Sequence, residues 1–250
     1  MIRRETKQGW ILITQREHSL LAGKIMKHWG NSNFMTPEPY EEVMLAVAEH
    51  DCGWELWEKN IKINQANKYP KNFLEMSYPD QAAIWRKSFL KHSKNHPYAS
   101  SLIALHFDKF NNSVLRKNRS ALVLKSQIRE FVLENLGLKH TGQNGLSEQI
   151  INNLKIVQIG DIISLALCHG WRSAQIDEVP YKLNGKKISI LIRSDDGLNY
   201  NINPFPFSNY PITVSVKGNE MNRKTFKNNS DFLDAYKTSE STNLTFTINK

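Results

Sequence analysis

Apolar positions recur with two different periods along the chain, and the change of period marks its organisation. Ile2 to Glu5, a Lys7-Gln8-Gly9 turn and the run Trp10-Ile11-Leu12-Ile13 predict a small β-hairpin. Thr14 and Glu17 then have capping-box spacing. Leu21, Ala22, Ile25 and Trp29 follow at helical intervals until Gly30 and Asn31 interrupt them. A second helix is predicted from Glu41 to His50, with Val43, Ala46 and Val47 on one face, ending at Asp51-Cys52-Gly53. A loop rich in Pro and Asn covers residues 60–79, and helices are predicted over Gln81–His92, Pro97–Phe110 and Ser120–Leu136. A polar loop from His140 to Gly145 precedes a long helix over Ser147–Cys168.

From Pro180 the period becomes two. Lys187–Arg193, Leu198–Ile202, Ile212–Val216 and Leu244–Ile248 read as strands, with Asn184-Gly185 and Asp195-Asp196-Gly197 as hairpin turns. The expected fold is therefore α+β. Residues 1–178 form a mainly helical core that includes the N-terminal hairpin, and residues 179–250 form an antiparallel β subdomain packed on it, with a sheet the hairpin is free to join.

The informative polar residues are those that fall inside apolar stripes. His18 shares a face with Leu21, Ala22 and Ile25; His50 continues the stripe of Val43, Ala46 and Val47; His106 follows Leu102 and Ile103; Asp161 lies with Leu154, Val157 and Leu165. A single imidazole in such a place is ordinarily a hydrogen-bonded core residue. Several on different helices are expected to find one another, because burying a charge or an imidazole is costly unless it is paired or ligates a metal. Chain order strengthens that expectation: a helical His, then His-Asp at the end of the next helix, then an Asp deep in a long apolar helix.

That order, His18, His50-Asp51, Asp161, resembles the HD superfamily of metal-dependent phosphohydrolases, whose helical core uses His, His-Asp and Asp as metal ligands. Over nearly its whole length the chain resembles an uncharacterised bacterial family catalogued as domain of unknown function 3891. The residues that carry this are Gly9 to Gln15 with His18, Pro39 to Val43, Ala48 to Trp54 with Trp57-Glu58, Pro97-Tyr98 through His106-Phe107, and Pro204 to Phe207. The resemblance implies an HD-like helical bundle and a divalent ion held by His18, His50, Asp51 and Asp161. Asp51 and His106 are then the candidates for catalytic work. Two-metal HD proteins, including di-iron oxygenases, use further histidines, and of His92, His96, His106 and His140 only His106 lies on an apolar helical face.

Imidazole and carboxylate ligands suit Mn, Fe, Zn, Co, Ni or Mg without choosing among them. Trp54 and Trp57, just after the His-Asp pair, are candidates to line a substrate pocket, and Arg86 is a candidate phosphate contact. Glu49, Glu55 and Glu58 are possible bases that read more readily as solvated helix-end charges.

Composition alters this picture little. The net charge of +9, from 33 Lys and Arg against 24 Asp and Glu, suits a small anionic substrate, but the basic residues form no long run. No helix-turn-helix, zinc-finger or RNA-recognition signature points to nucleic acid. Two cysteines without metal or redox spacing fit a reducing cytoplasm, and no apolar stretch is read as a membrane span or an address label. The leading expectation is a metal-dependent phosphohydrolase acting on a nucleotide or another small phosphorylated molecule. The alternatives are a non-catalytic metal- or ligand-binding sensor and an HD-like di-iron oxygenase. A homo-oligomer is compatible with the sequence.

Overall fold

The computed structural model describes residues 1–114, 119–138, 146–182 and 185–250. The predicted loop from His140 to Gly145, and Asn184 of the predicted Asn184-Gly185 turn, lie outside the described residues. In chain order the elements are β1 (Ile2–Glu5), β2 (Trp10–Ile13), α1 (Gln15–Met26), α2 (Tyr40–Glu49), α3 (Glu55–Glu58), α4 (Tyr78–Lys91), α5 (Pro97–Val114), α6 (Arg119–Asn135), α7 (Glu148–His169), β3 (Ser173–Pro180), β4 (Lys187–Arg193), β5 (Asn199–Asn203), β6 (Ile212–Met221), α8 (Asn229–Lys237) and β7 (Glu240–Asn249).

All seven strands form one sheet, in the order β1-β2-β6-β7-β5-β4-β3. The β5–β7 pair is parallel and the other pairs are antiparallel, so the sheet is mixed. This corrects the expectation of a mainly helical HD-like bundle carrying an antiparallel β subdomain. The α+β class stands, and the N-terminal hairpin does join the sheet of the C-terminal strands, as its edge, with Trp10 opposite Met221 and Leu12 opposite Asn219. The division drawn between residues 178 and 179 falls within β3.

The sheet's alternation explains why β2 is buried along its whole length. Side chains of a strand point to opposite faces in turn. Ile11 and Ile13 therefore enter the main core with the helices, while Trp10 and Leu12 enter a second cluster with Ile61, Ile63, Met221, Phe226 and Phe232 of α8. Each fully buried side chain of this kind stabilises the fold by about 1.5–3 kcal/mol.

The centre of the helical layer is α7, which packs on α1, α2 and α5 and on strands β1 and β3. Enclosed by neighbours on several sides, it is apolar around its circumference instead of along one stripe. Among the described residues α7 is also the one helix long and apolar enough to cross a membrane by length and composition, and most of it is buried inside the protein.

Candidate metal centre

Three helices approach closely enough to bring their polar residues together because small residues lie where they cross. A Cβ added to Gly23 of α1 would stand 2.8 Å from the Cβ of Ala48 in α2, and one added to Gly160 of α7 would stand 2.9 Å from Met26 Cγ and from Val47 Cγ1. His18, early in α1 behind its Thr14 cap, is fully buried. Asp161 follows Gly160 directly, so the residue that permits the close approach adjoins one that faces the centre.

His50 and Asp51 are adjacent, yet both face that centre. Successive residues of a continuing helix point about 100° apart. Here α2 ends at Glu49, His50 caps it, and Asp51 leaves helical geometry (φ −105°, ψ 18°) before a tight turn at Cys52–Trp54. Ending the helix between the two side chains lets them converge.

The two ring nitrogens then lie close to each other and to both carboxylates. His18 Nε2 is 3.1 Å from Asp161 Oδ1, 3.8 Å from Asp51 Oδ2 and 3.3 Å from His50 Nε2. His50 Nε2 is 3.7 Å from Asp51 Oδ2 and 3.6 Å from Asp161 Oδ1. Atoms bound at roughly 2.1 Å to one ion stand about 3.0 Å apart at neighbouring corners of an octahedron and about 3.4 Å apart in a tetrahedron. The contacts of the two ring nitrogens, 3.1 to 3.8 Å, are near that spacing. His106 Nε2 adds a fifth donor, 3.6 Å from Asp161 Oδ2, and the atoms of His50, His106 and Asp161 also lie within 4.8 Å of one another.

The hydrogen bonds outside the centre decide which ring nitrogens point inward. His50 Nδ1 is 2.8 Å from the Val47 carbonyl oxygen, which only accepts, so Nδ1 carries a proton and Nε2 is the ring atom turned inward. The Ser164 hydroxyl donates to the Asp161 carbonyl at 3.0 Å and therefore accepts from His18 Nδ1–H at 2.8 Å. His18 Nδ1 is thus engaged as well, and Nε2 is the ring atom that faces the centre.

Two ring nitrogens and two buried carboxylates lie together, and among the described residues no lysine or arginine pairs with either carboxylate. Without an ion, a proton takes part of that role. Burial disfavours a charged His50, but Asp51 and Asp161 outweigh it and raise the imidazole to about 9. Burial also works against ionised Asp161, yet hydrogen bonds from His18 and His50 hold its carboxyl far below the usual range. Burial raises Asp51 and drives His106 down to about 3.

A cavity of about 600 Å³ opens beside the cluster. Asp51, Asp161 and His106 line it, whereas His18 and His50 do not, so the cluster is closed on one side and accessible on the other. Trp54 lines the cavity and donates its indole N–H to Asp51 Oδ1 at 3.2 Å. Trp57 packs edge-on against Trp54 but lies outside the lining. Arg86 also lies outside it, exposed on α4, where its guanidinium donates to Gln127 of α6.

The glutamates considered as bases are engaged elsewhere. Glu49 pairs with Arg16, Lys91 and His92, Glu55 with Arg16 and Lys91, and Glu58 accepts from the backbone N–H of Gln15 at 2.6 Å. His96 pairs with Glu42, and His140 lies outside the described residues. Sequence reasoning missed Gln15, whose amide donates to Asp51 Oδ2 at 3.1 Å, and Ser164, which orients His18. A signal was present in both cases, since Gln15 stands three residues before His18 and Ser164 three after Asp161, on shared helical faces.

Together the fold and the cluster define an α+β protein with a buried His/Asp group whose donor set can hold a metal ion. Comparison with known families then places it. The chain belongs to the family described as protein of unknown function (DUF3891), whose model matches residues 1–223 and so spans every residue of the cluster. No curated protein and no solved structure matches it.

Proposed function

We propose that the protein binds a divalent metal ion through His18, His50, Asp51 and Asp161 and hydrolyses a small phosphate-bearing molecule in the adjoining cavity. The observation that carries this reading is the pair of Nε2 atoms, 3.3 Å apart, turned toward two buried carboxylates by the bonds of Nδ1 to Val47 and Ser164. A shared cation can take the place of the proton that otherwise lies among these nitrogens and carboxylates. The chain order of the four residues resembles the ligand order of HD phosphohydrolases, and this likeness in order alone supports a phosphate ester as substrate. The net charge of +9 suits the same class.

A divalent ion at such a site lowers the pKa of a water from 15.7 to about 7 and offsets charge on a phosphoryl oxygen. Trp54 and Gln15 hold the Asp51 carboxylate in place, and the helical side of the cluster excludes bulk water. In the overall reaction water adds to phosphorus and the phosphorus–oxygen ester bond breaks. The alcohol leaves with one proton of the water, and inorganic phosphate keeps the rest.

A second reading has its own observation. His50, His106 and Asp161 form a group able to hold a further ion, which would suit a di-iron oxygenase. Elemental analysis of protein purified without a metal-binding tag separates the two. About one metal per chain, lost in folded Asp51→Ala and Asp161→Ala variants, together with metal-dependent release of phosphate from an ester, is the expected result. Two irons per chain favour the oxygenase, and bound metal without turnover favours a sensor. A folded parent that takes up none of Mn, Fe, Zn, Co, Ni or Mg overturns the metal reading.

A further inference from the structure

The cavity beside the cluster has a composition that its metal-binding wall does not explain. Resting on the hydrolase reading above, we propose that it selects a phosphate ester of an aromatic or otherwise apolar alcohol in preference to a nucleoside polyphosphate.

Two features of the cavity carry this. The first is its aromatic wall. Trp54, Phe73, Tyr78, Trp85, Phe107 and Phe110 all line it. Trp85 and Phe107 are stacked, with centroids 5.4 Å apart and planes 15° from parallel, and Tyr78 meets Trp85 edge-on, so this wall is a preformed apolar slab. Phe110 and Leu74, 46 % and 71 % exposed, are also apolar lining residues that solvent reaches. An apolar surface left open to water inside a concave site is stabilised when an apolar ligand covers it.

The second is charge. Among the described lining residues Lys109 is the one lysine or arginine, and Gln158 Oε1 accepts from its ammonium at 3.1 Å. A divalent ion balances the charges of Asp51 and Asp161, which leaves the single charge of Lys109 to meet the substrate. One phosphoryl group is matched by this arrangement. A chain of phosphates would bring several further negative charges against two carboxylates and an aromatic wall, with no cation to receive them.

The polar atoms left without partners agree with this division. Gln15 Oε1 and His106 Nδ1 are buried and unpaired, and both residues line the cavity beside metal ligands, Gln15 bonded to Asp51 and His106 next to Asp161. These two polar residues thus stand at the metal end, and the remaining lining is chiefly apolar, with Gln81, Lys109 and Gln158 as its polar members.

The test is calorimetric titration of the full, metal-loaded chain with 1-naphthylphosphonate, methylphosphonate and ATP, none of which requires turnover to be read. Naphthylphosphonate is expected to bind at least about thirtyfold more tightly than methylphosphonate, from burial of its rings. Phe110→Ser, at a half-exposed position, should reduce that ratio several-fold with metal content unchanged, and Lys109→Ala should weaken both phosphonates by a similar factor. Methylphosphonate or ATP binding as tightly as naphthylphosphonate overturns the proposal. Tight naphthylphosphonate binding with no hydrolysis of any ester leaves the selectivity standing and removes the hydrolase reading. Preferred turnover of ATP does the reverse.

Discussion

Four consecutive residues, Glu49 to Cys52, supply two clusters of ligand-type side chains with opposite electrostatics. His50 and Asp51 join His18 and Asp161, while Glu49 and Cys52 join His92, and in that second group too the ligand-type atoms lie within 4.8 Å of one another. The second carboxylate is already satisfied. Glu49 accepts from Arg16 on one oxygen and from Lys91 (3.2 Å) and His92 (2.9 Å) on the other. The Cys52 thiol donates to the Ser88 carbonyl at 3.6 Å, and burial pushes its pKa up to about 12. A metal ion there would have to displace two permanent cations and deprotonate a reluctant thiol. In the first cluster it meets two carboxylates with no Lys or Arg partner among the described residues and two ring nitrogens already turned inward. Proximity of donor atoms therefore does not define a metal site; carboxylates without permanent cations, faced by ring nitrogens that can give up a proton, do.

The largest expected effect breaks this contrast most directly. His18→Ala should weaken metal binding by at least about a hundredfold, whereas Cys52→Ser should leave the affinity unchanged, both read by equilibrium dialysis with elemental analysis. Loss of metal from Cys52→Ser would mean that the second cluster is the site. A smaller effect sharpens the contrast further. Ser164→Ala removes the acceptor that fixes the His18 tautomer without touching a ligand atom, and outer hydrogen bonds of this kind are worth roughly ten- to a hundredfold in affinity. An affinity equal to that of the parent would show that the His18 ring is not set by Ser164.

The first cluster was more legible in the sequence than the fold around it. His18, His50, His106 and Asp161 each interrupt an apolar stripe, and a stripe is a local property of one helix. The pairing of β2 with β6, about two hundred residues apart, has no local signature. β6 runs to Met221, although Lys217-Gly218-Asn219 reads as a stop after Val216. β3 was missed because its segment, Ser-Ala-Gln-Ile-Asp-Glu-Val-Pro, is largely exposed and its register slips between Ile176 and Val179, which breaks the period of two. α8 is short and polar and buries little beyond Phe232. Arg86 shows a related limit. It adjoins Trp85, which lines the cavity, but the helical turn between neighbours carries it to the exposed face beside Gln127.

The smallest effect concerns what the second cluster does if it binds no metal. Its arrangement is that of a stabilising ion network tying α1, α2 and α4 together through Arg16, Glu49, Lys91 and the capping residue His92. Burial alone would raise the Glu49 carboxyl, but hydrogen bonds from His92 and Arg16 outweigh it and hold the group below its ordinary value of 4.5. A carboxyl lowered by folding contributes stability that is fully present above the unfolded value and is lost as the pH falls through the folded one. Glu49→Gln keeps the shape and removes the charge, and it should cost about 2 kcal/mol at pH 7 in urea unfolding. That difference should shrink steadily as the pH is taken down through the acid range, because the parent then loses the same charge by protonation. A gap between parent and variant that stayed constant with pH would place the effect in packing and leave the ion network without a measurable share.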